Sequence, residues 1–135
     1  MLNAIEVNSL TKKFGDFKAV DNISFNVEEG EIFGFLGPNG AGKSTTMMIL
    51  TTLLKPTSGQ ALVGGHNVVS DAKRVREKIG YVQQEISVDE FLTGRENLYL
   101  HARINQIPKN LIKSRIDEVL ELVELGEKQD DATLT

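Results

Sequence analysis

Along the first thirty residues the apolar positions follow a two-residue period. Ile5 and Val7, then Ile23, Phe25 and Val27, alternate with polar neighbours, the pattern of half-buried strands. Two or three antiparallel strands are predicted here. After the Glu29-Gly30 turn comes Ile32-Phe33-Gly34-Phe35-Leu36, an apolar run with no polar face, which predicts a strand covered on both sides. Met47, Leu50 and Leu54 then recur at helical spacing. Lys55-Pro56 is expected to close that helix, because the residue before proline disfavours helical geometry.

Residues 60–63 and 80–83 predict two more short strands, separated by a Gly64-Gly65 turn and a charged helix over 71–78. The character changes at Leu92. Thr93-Gly94-Arg95-Glu96 has the spacing of a capping box, in which hydroxyl and carboxylate satisfy orphan amides at a helix start. That helix is expected to run to about Gln106. Pro108 suits the first turn of another, with Ile112, Ile116, Val119, Leu120 and Val123 as its apolar stripe and Gly126 as its stop. The order is mixed α/β, dividing into a core over 1–92 and a helical subdomain over 93–135.

Composition narrows the function classes. With 135 residues, a formal net charge of −4 and 40% hydrophobic residues, the chain resembles an ordinary soluble domain. Its apolar runs fall well short of the ~20 residues a spanning helix needs. Residues 1–11 alternate and carry Glu6 instead of forming a basic-then-apolar leader, so no secretory signal is expected. Zero cysteines exclude disulfides and thiolate metal sites and fit a reducing cytoplasm. His66 and His101 have no metal-ligand spacing. The acidic balance argues against a nucleic-acid partner, and Lys73, Arg74, Arg76 and Lys78 read as a solvated helix face.

The chemistry lies in Gly37-Pro38-Asn39-Gly40-Ala41-Gly42-Lys43-Ser44, which has the phosphate-loop spacing of glycine, four residues, glycine, lysine and a hydroxyl residue. Glycines at 37, 40 and 42 let backbone amides approach a phosphate without an intervening Cβ. The following helix adds its positive end. Lys43 places an ammonium on β- and γ-phosphate oxygens, and Ser44 offers a hydroxyl to Mg²⁺.

At this point the sequence resembles the ABC ATPase family over nearly its whole length. Gly37 through Thr45 is similar to that family's version of the loop, and it follows an antiparallel β layer, as theirs does. Leu10-Thr11-Lys12-Lys13-Phe14-Gly15 resembles the segment whose aromatic residue stacks on adenine, here Phe14 where tyrosine is commoner. The other reading of Phe14 is a core aromatic. Ile79-Gly80-Tyr81-Val82-Gln83-Gln84 is similar to the strand and loop whose glutamine, Gln84, touches Mg²⁺ and the attacking water, with Gln83 where proline is usual. The bland reading of Gln84 is a surface amide, and Tyr81 reads as core.

The resemblance implies a phosphate-loop NTPase fold with an N-terminal antiparallel β layer, a partial RecA-like core and part of a helical subdomain. It implies ATP and Mg²⁺ as cofactors, with Gly37, Pro38, Asn39, Gly40, Ala41, Gly42, Lys43, Ser44, Thr45 and Phe14 on the nucleotide, Ser44 and Gln84 at the metal, and Lys43 and Gln84 in catalysis. The run from Ser87 to Leu98 looks like the drug-resistance exporter branch. Residues 84–92 would then face an integral membrane permease, although a solvated loop is the simpler reading. A second ATPase subunit would complete a nucleotide sandwich at the inner face of the cell membrane. Family members also carry a Ser-Gly-Gly signature, an apolar strand ending in Asp-Glu and a histidine loop. None of these occurs in the sequence, so the chain reads as a fragment unable to hydrolyse ATP alone, whose strand over 32–36 has an open edge. The rival from another class is a soluble ABC-type ATPase regulating translation or DNA repair. An unrelated GTPase lacks support, because no Asn-Lys-x-Asp motif occurs.

Overall fold

The computed structural model describes residues 3–82 and 88–131. The chain divides into two compact units, residues 1–82 and 83–135.

In the first unit the alternating N-terminal segments form a long hairpin, β1 (Asn3–Phe14) and β2 (Phe17–Glu28). β3 (Ser58–Val63) and β4 (His66–Asn67) extend it into an antiparallel sheet of order β2-β1-β3-β4. Between the two hairpins runs α1 (Lys43–Leu50), and after β4 comes α2 (Ala72–Arg76). Val7, Leu10, Ile49, Leu50, Ala61, Val63, Val68 and Val75 form the core.

Val7 and Leu10 are three residues apart, yet both are buried, which simple alternation forbids. A bulge reconciles them. From Val7 to Leu10 β1 uses one more residue than β2, and from Asn8 to Thr11 one more than β3. The surplus is taken up around Ser9, whose φ is 50° and whose amide donates to Ser24 Oγ at 2.8 Å. β2 carries a compensating bulge at Asn22, with φ 52° and its amide donating to Thr11 Oγ1 at 3.0 Å. An extra residue of this kind re-aims every side chain beyond it.

The β3–β4 turn is Gly64-Gly65, as expected. Their φ values of 54° and 76° are both positive, the geometry that matches the strand twist across a two-residue loop. α2 occupies the expected charged segment.

The predicted strand over 32–36 is not formed. The segment has no ladder partner among the described residues. It is held instead through alternate side chains: Phe33 and Phe35 pack on Phe25 of β2 with ring centroids 5.3 and 5.2 Å apart. The other face is bare, with Ile32 and Leu36 100% and 96% exposed. A strand is defined by its neighbours' hydrogen bonds, which a local apolar run cannot supply. For the same reason residues 80–82 form no strand, and Gln83 lies outside the described residues. Tyr81 is 42% exposed and not a core residue. α1 also ends earlier than Lys55-Pro56 requires: Thr51 is its C-cap and Thr52 turns to φ 65°. Met47 is accordingly exposed, while Thr46, Ile49 and Leu50 face inward.

The second unit is helical. α3 (Gly94–Ile104) starts on the predicted capping box: Glu96 N donates to Thr93 Oγ1 at 3.2 Å, and Thr93 N to Glu96 Oε2 at 2.9 Å. α4 (Lys109–Leu122) packs Ile112, Ile116 and Leu120 against Ala102, with Leu98 and Ile107 beside them. Val119 and Val123 lie off that stripe and are exposed. Pro108 is the N-cap of α4 and not part of its first turn. Gly126 is not its stop either: Glu124, at φ 58°, turns the chain and Gly126 opens a short 3-10 turn, Gly126–Lys128. Arg95 ties the unit together, donating to Asp117 Oδ1 at 2.6 Å and from Nε to Gln129 Oε1 at 2.9 Å.

Candidate functional site: a glycine-rich loop and an exposed aromatic

The glycine-rich loop connects the 32–36 segment to α1. Gly40 and Gly42 have φ 82° and 85°, and Gly37 has φ 151°, conformations in which L-residues are strained. Gly42 is the N-cap of α1. Having no side chain, it leaves the amides of Lys43, Ser44 and Thr45 uncapped, and helix geometry gives these amides no i−4 acceptor. The first helical bond is Thr46 N to Gly42 O at 2.9 Å, reinforced by the buried Thr46 Oγ1 on the same carbonyl at 2.9 Å. The turn is fixed while its amides remain available to an acceptor.

Lys43 folds back over the loop. Its Nζ donates to the carbonyls of Gly37 and Pro38, both at 2.6 Å. These carbonyls hold the ammonium on the same loop that leads into the uncapped amides. An anion with several oxygens fits this chemistry, since each oxygen accepts and none has to donate.

The loop leans on the hairpin. A Cβ at Gly42 would land on the carbonyl oxygen of Ala19 in β2. Ala19 belongs to the returning strand of the hairpin that carries Phe14 at its tip, paired with Phe17 across a turn in which Gly15 has φ 58°. Phe14 is 51% exposed, which removes the core-aromatic reading. The ammonium of Lys12 sits 5.1 Å from its ring centroid. Gln84 lies outside the described residues.

Sequence reasoning passed over three residues. Ala19 carries no local signal, because its role is a backbone contact. Lys12 lies in the Leu10–Gly15 segment, where its residue type predicts no role. Asn97, 5% exposed, organises the loop before α3: its Oδ1 accepts from Asp89 N at 2.8 Å, and its Nδ2 donates to Asp89 O at 3.0 Å and Thr93 O at 3.1 Å. A buried asparagine needs such partners, but sequence does not say which.

The helical unit carries a groove of about 560 Å³ lined by Leu92, Tyr99, Leu100, Arg103, Lys113 and Ile116, among others. Its lining is mainly apolar, with Arg95, Arg103, Lys109 and Lys113 as its cations and Glu96 as a carboxylate. No helix among the described residues is long and apolar enough to cross a membrane.

Comparison with known proteins gives these features a context. The chain is 43% identical over 124 residues to the daunorubicin resistance ATP-binding protein DrrA3 of Streptomyces coeruleorubidus, covering 92% of this chain and 39% of that protein. It is 45% identical over 125 residues to the bacitracin transport ATP-binding protein BcrA of Bacillus licheniformis, covering 93% and 40%. Among solved structures, cbiO1 from Clostridium perfringens, part of the ABC transporter complex cbiONQ, superposes with a TM-score of 0.81 at 27% identity, over 96% of this chain and 53% of that one. The chain thus spans about two fifths of the length of these curated relatives. The architecture is part of the α/β phosphate-loop fold of ABC ATPases. The sequence model of the ABC transporter family matches residues 20–134, loop and helical unit together, and the chain belongs to that family of ATP-driven proteins.

Proposed function

We propose that this chain is the phosphate-binding part of the ATP-binding subunit of an exporter, with nucleotide binding as its own contribution. One observation carries the reading: the uncapped N-terminus of α1, preceded by positive-φ glycines, with the Lys43 ammonium folded back onto the Gly37 and Pro38 carbonyls of the same loop. In it the amides of residues 43–45 cradle the phosphates, Lys43 moves from the Gly37 and Pro38 carbonyls to phosphate oxygens, and Phe14 stacks on the base. Gly37, Pro38, Asn39 and Ala41 shape the cradle. Ser44 and Gln84 are the proposed Mg²⁺ ligands, Gln84 also orienting the attacking water. Bound Mg²⁺ supplies charge neutralisation on the phosphate oxygens.

Export is proposed from the relatives' names, which speak of drug resistance and bacitracin transport. The groove between α3 and α4, with the sequence segment 84–92, is the proposed permease-facing surface, and cbiO1's place in a transporter complex supports a membrane partner. A second ATPase subunit and a location at the inner membrane face belong to the same proposal. The 135 residues by themselves are proposed to bind nucleotide without turning it over, because no Asp-Glu strand end or Ser-Gly-Gly signature occurs in them.

Isothermal titration with magnesium-ATP tests the reading. Wild-type chain takes up one equivalent, and Lys43→Ala binds at least tenfold more weakly. Equal affinity in the two proteins would remove Lys43 from the phosphate site.

A further inference from the structure

The adenine platform in the proposed function is one aromatic ring at the tip of a hairpin, 51% exposed, and such a ring has several rotamers open to it. Lys12 and Phe14 are two apart on β1, and their side chains meet at the hairpin tip despite the register shift between Lys12 and Lys13. The Lys12 ammonium lies 5.1 Å from the Phe14 ring centroid. That ammonium is itself anchored, donating to the carbonyl of Lys55 at 2.8 Å. The segment around Lys55 is bound to β1 again just beyond: Thr57 N donates to Thr11 O at 2.8 Å, and Lys13 N to Thr57 Oγ1 at 2.9 Å. The cation is held between the hairpin and the segment that follows α1.

We propose that Lys12 is a positioning residue for the nucleotide base: it clamps one face of Phe14 and leaves the opposite face for adenine. The inference rests on the reading of Phe14 as the stacking residue. Two physical effects act together. Covering one face restricts the ring's rotamers, so less entropy is lost when a base stacks. A cation on one face also draws electron density from the ring, which lowers its repulsion with the π-cloud of a base on the other. Neither effect touches the phosphates, so Lys12 separates base recognition from phosphate recognition.

The test uses the full 135-residue chain and two ligands titrated with Mg²⁺, ATP and inorganic tripolyphosphate, which lacks the base. Lys12→Met keeps the aliphatic stem and removes the cation. It is expected to weaken ATP binding about two- to fivefold and leave tripolyphosphate affinity unchanged, which also reports an intact loop. Lys12→Arg, which keeps a cation over the ring, restores ATP affinity. In a Phe14→Ala background, Lys12→Met has no further effect. Equal weakening of both ligands by Lys12→Met would mean that the lysine acts as a general attractive charge, and would overturn the proposal. So would unchanged ATP affinity in Lys12→Met while Phe14→Ala binds ATP poorly. If Phe14→Ala binds ATP as the wild type does, the stacking reading of Phe14 fails first, and the clamp with it.

Discussion

The carbonyl oxygen of Ala19 occupies the space that a Cβ on Gly42 would need. A strand of the antiparallel sheet and the last glycine of the phosphate loop are therefore in backbone-to-backbone contact. β2 packs directly against the start of α1, and the sheet helps shape the proposed anion site.

Gly42→Ala carries two costs: a left-handed φ of 85° for an L-residue and a clash with backbone that cannot swing away. We expect destabilisation of about 2–5 kcal/mol, combining the left-handed and overpacking terms. Gly40→Ala has nearly the same φ, 82°, but nothing within 4 Å of the added carbon, and should lose only about 1–2 kcal/mol. Urea denaturation of the two variants checks the difference. Equal midpoints would show that Ala19 does not constrain the loop.

Lys43→Ala is expected to weaken nucleotide binding by about 1.5–3 kcal/mol, the worth of a charge-assisted hydrogen bond. Folding stability should change by no more than about 0.5 kcal/mol, since both bonds of Lys43 are solvent-exposed. Calorimetric titration and thermal melting separate the two quantities. A large stability loss would make Lys43 a structural residue of the loop.

Asn97→Ala removes a buried amide that bridges Asp89 and Thr93. We expect about 2–3 kcal/mol of destabilisation, from lost hydrogen bonds of about 1 kcal/mol each. Amide exchange at Asp89 should accelerate, because that N–H loses its Asn97 acceptor. Hydrogen exchange monitored by NMR reads both effects.

Ile32 and Leu36 present fully exposed apolar side chains on an extended segment without a ladder partner among the described residues. Such a surface favours pairing with another copy of the chain. Wild-type protein should show concentration-dependent mass in sedimentation experiments, and Ile32→Lys combined with Leu36→Lys should shift it to monomer. A wild type that stays monomeric throughout the accessible concentration range sinks this expectation.

Features that a few neighbouring residues can specify were legible in the sequence. Gly37, Gly40 and Gly42 announce backbone that needs positive or unusual φ, and the helix that follows them begins at Lys43. The Thr93–Glu96 box is likewise complete within four residues, and the Gly64-Gly65 turn within two. Other features depend on residues far away along the chain. Residues 32–36 had the composition of a strand but found rings to pack on instead of a ladder. Leu10 was out of phase until Ser9 bulged against two neighbouring strands at once. Gly126 looked like a helix stop, yet Glu124 took the left-handed turn first.

By itself, then, the order of amino acids determined that this protein carries a glycine-rich loop ahead of a helix that starts on Lys43, because such a turn needs only glycines close together in the chain. Tertiary structure alone decided which carbonyl braces that turn, which lysine covers Phe14 and which loop Asn97 holds. Those are contacts between segments, set by how strands register and pack, and no local run of side chains encodes them.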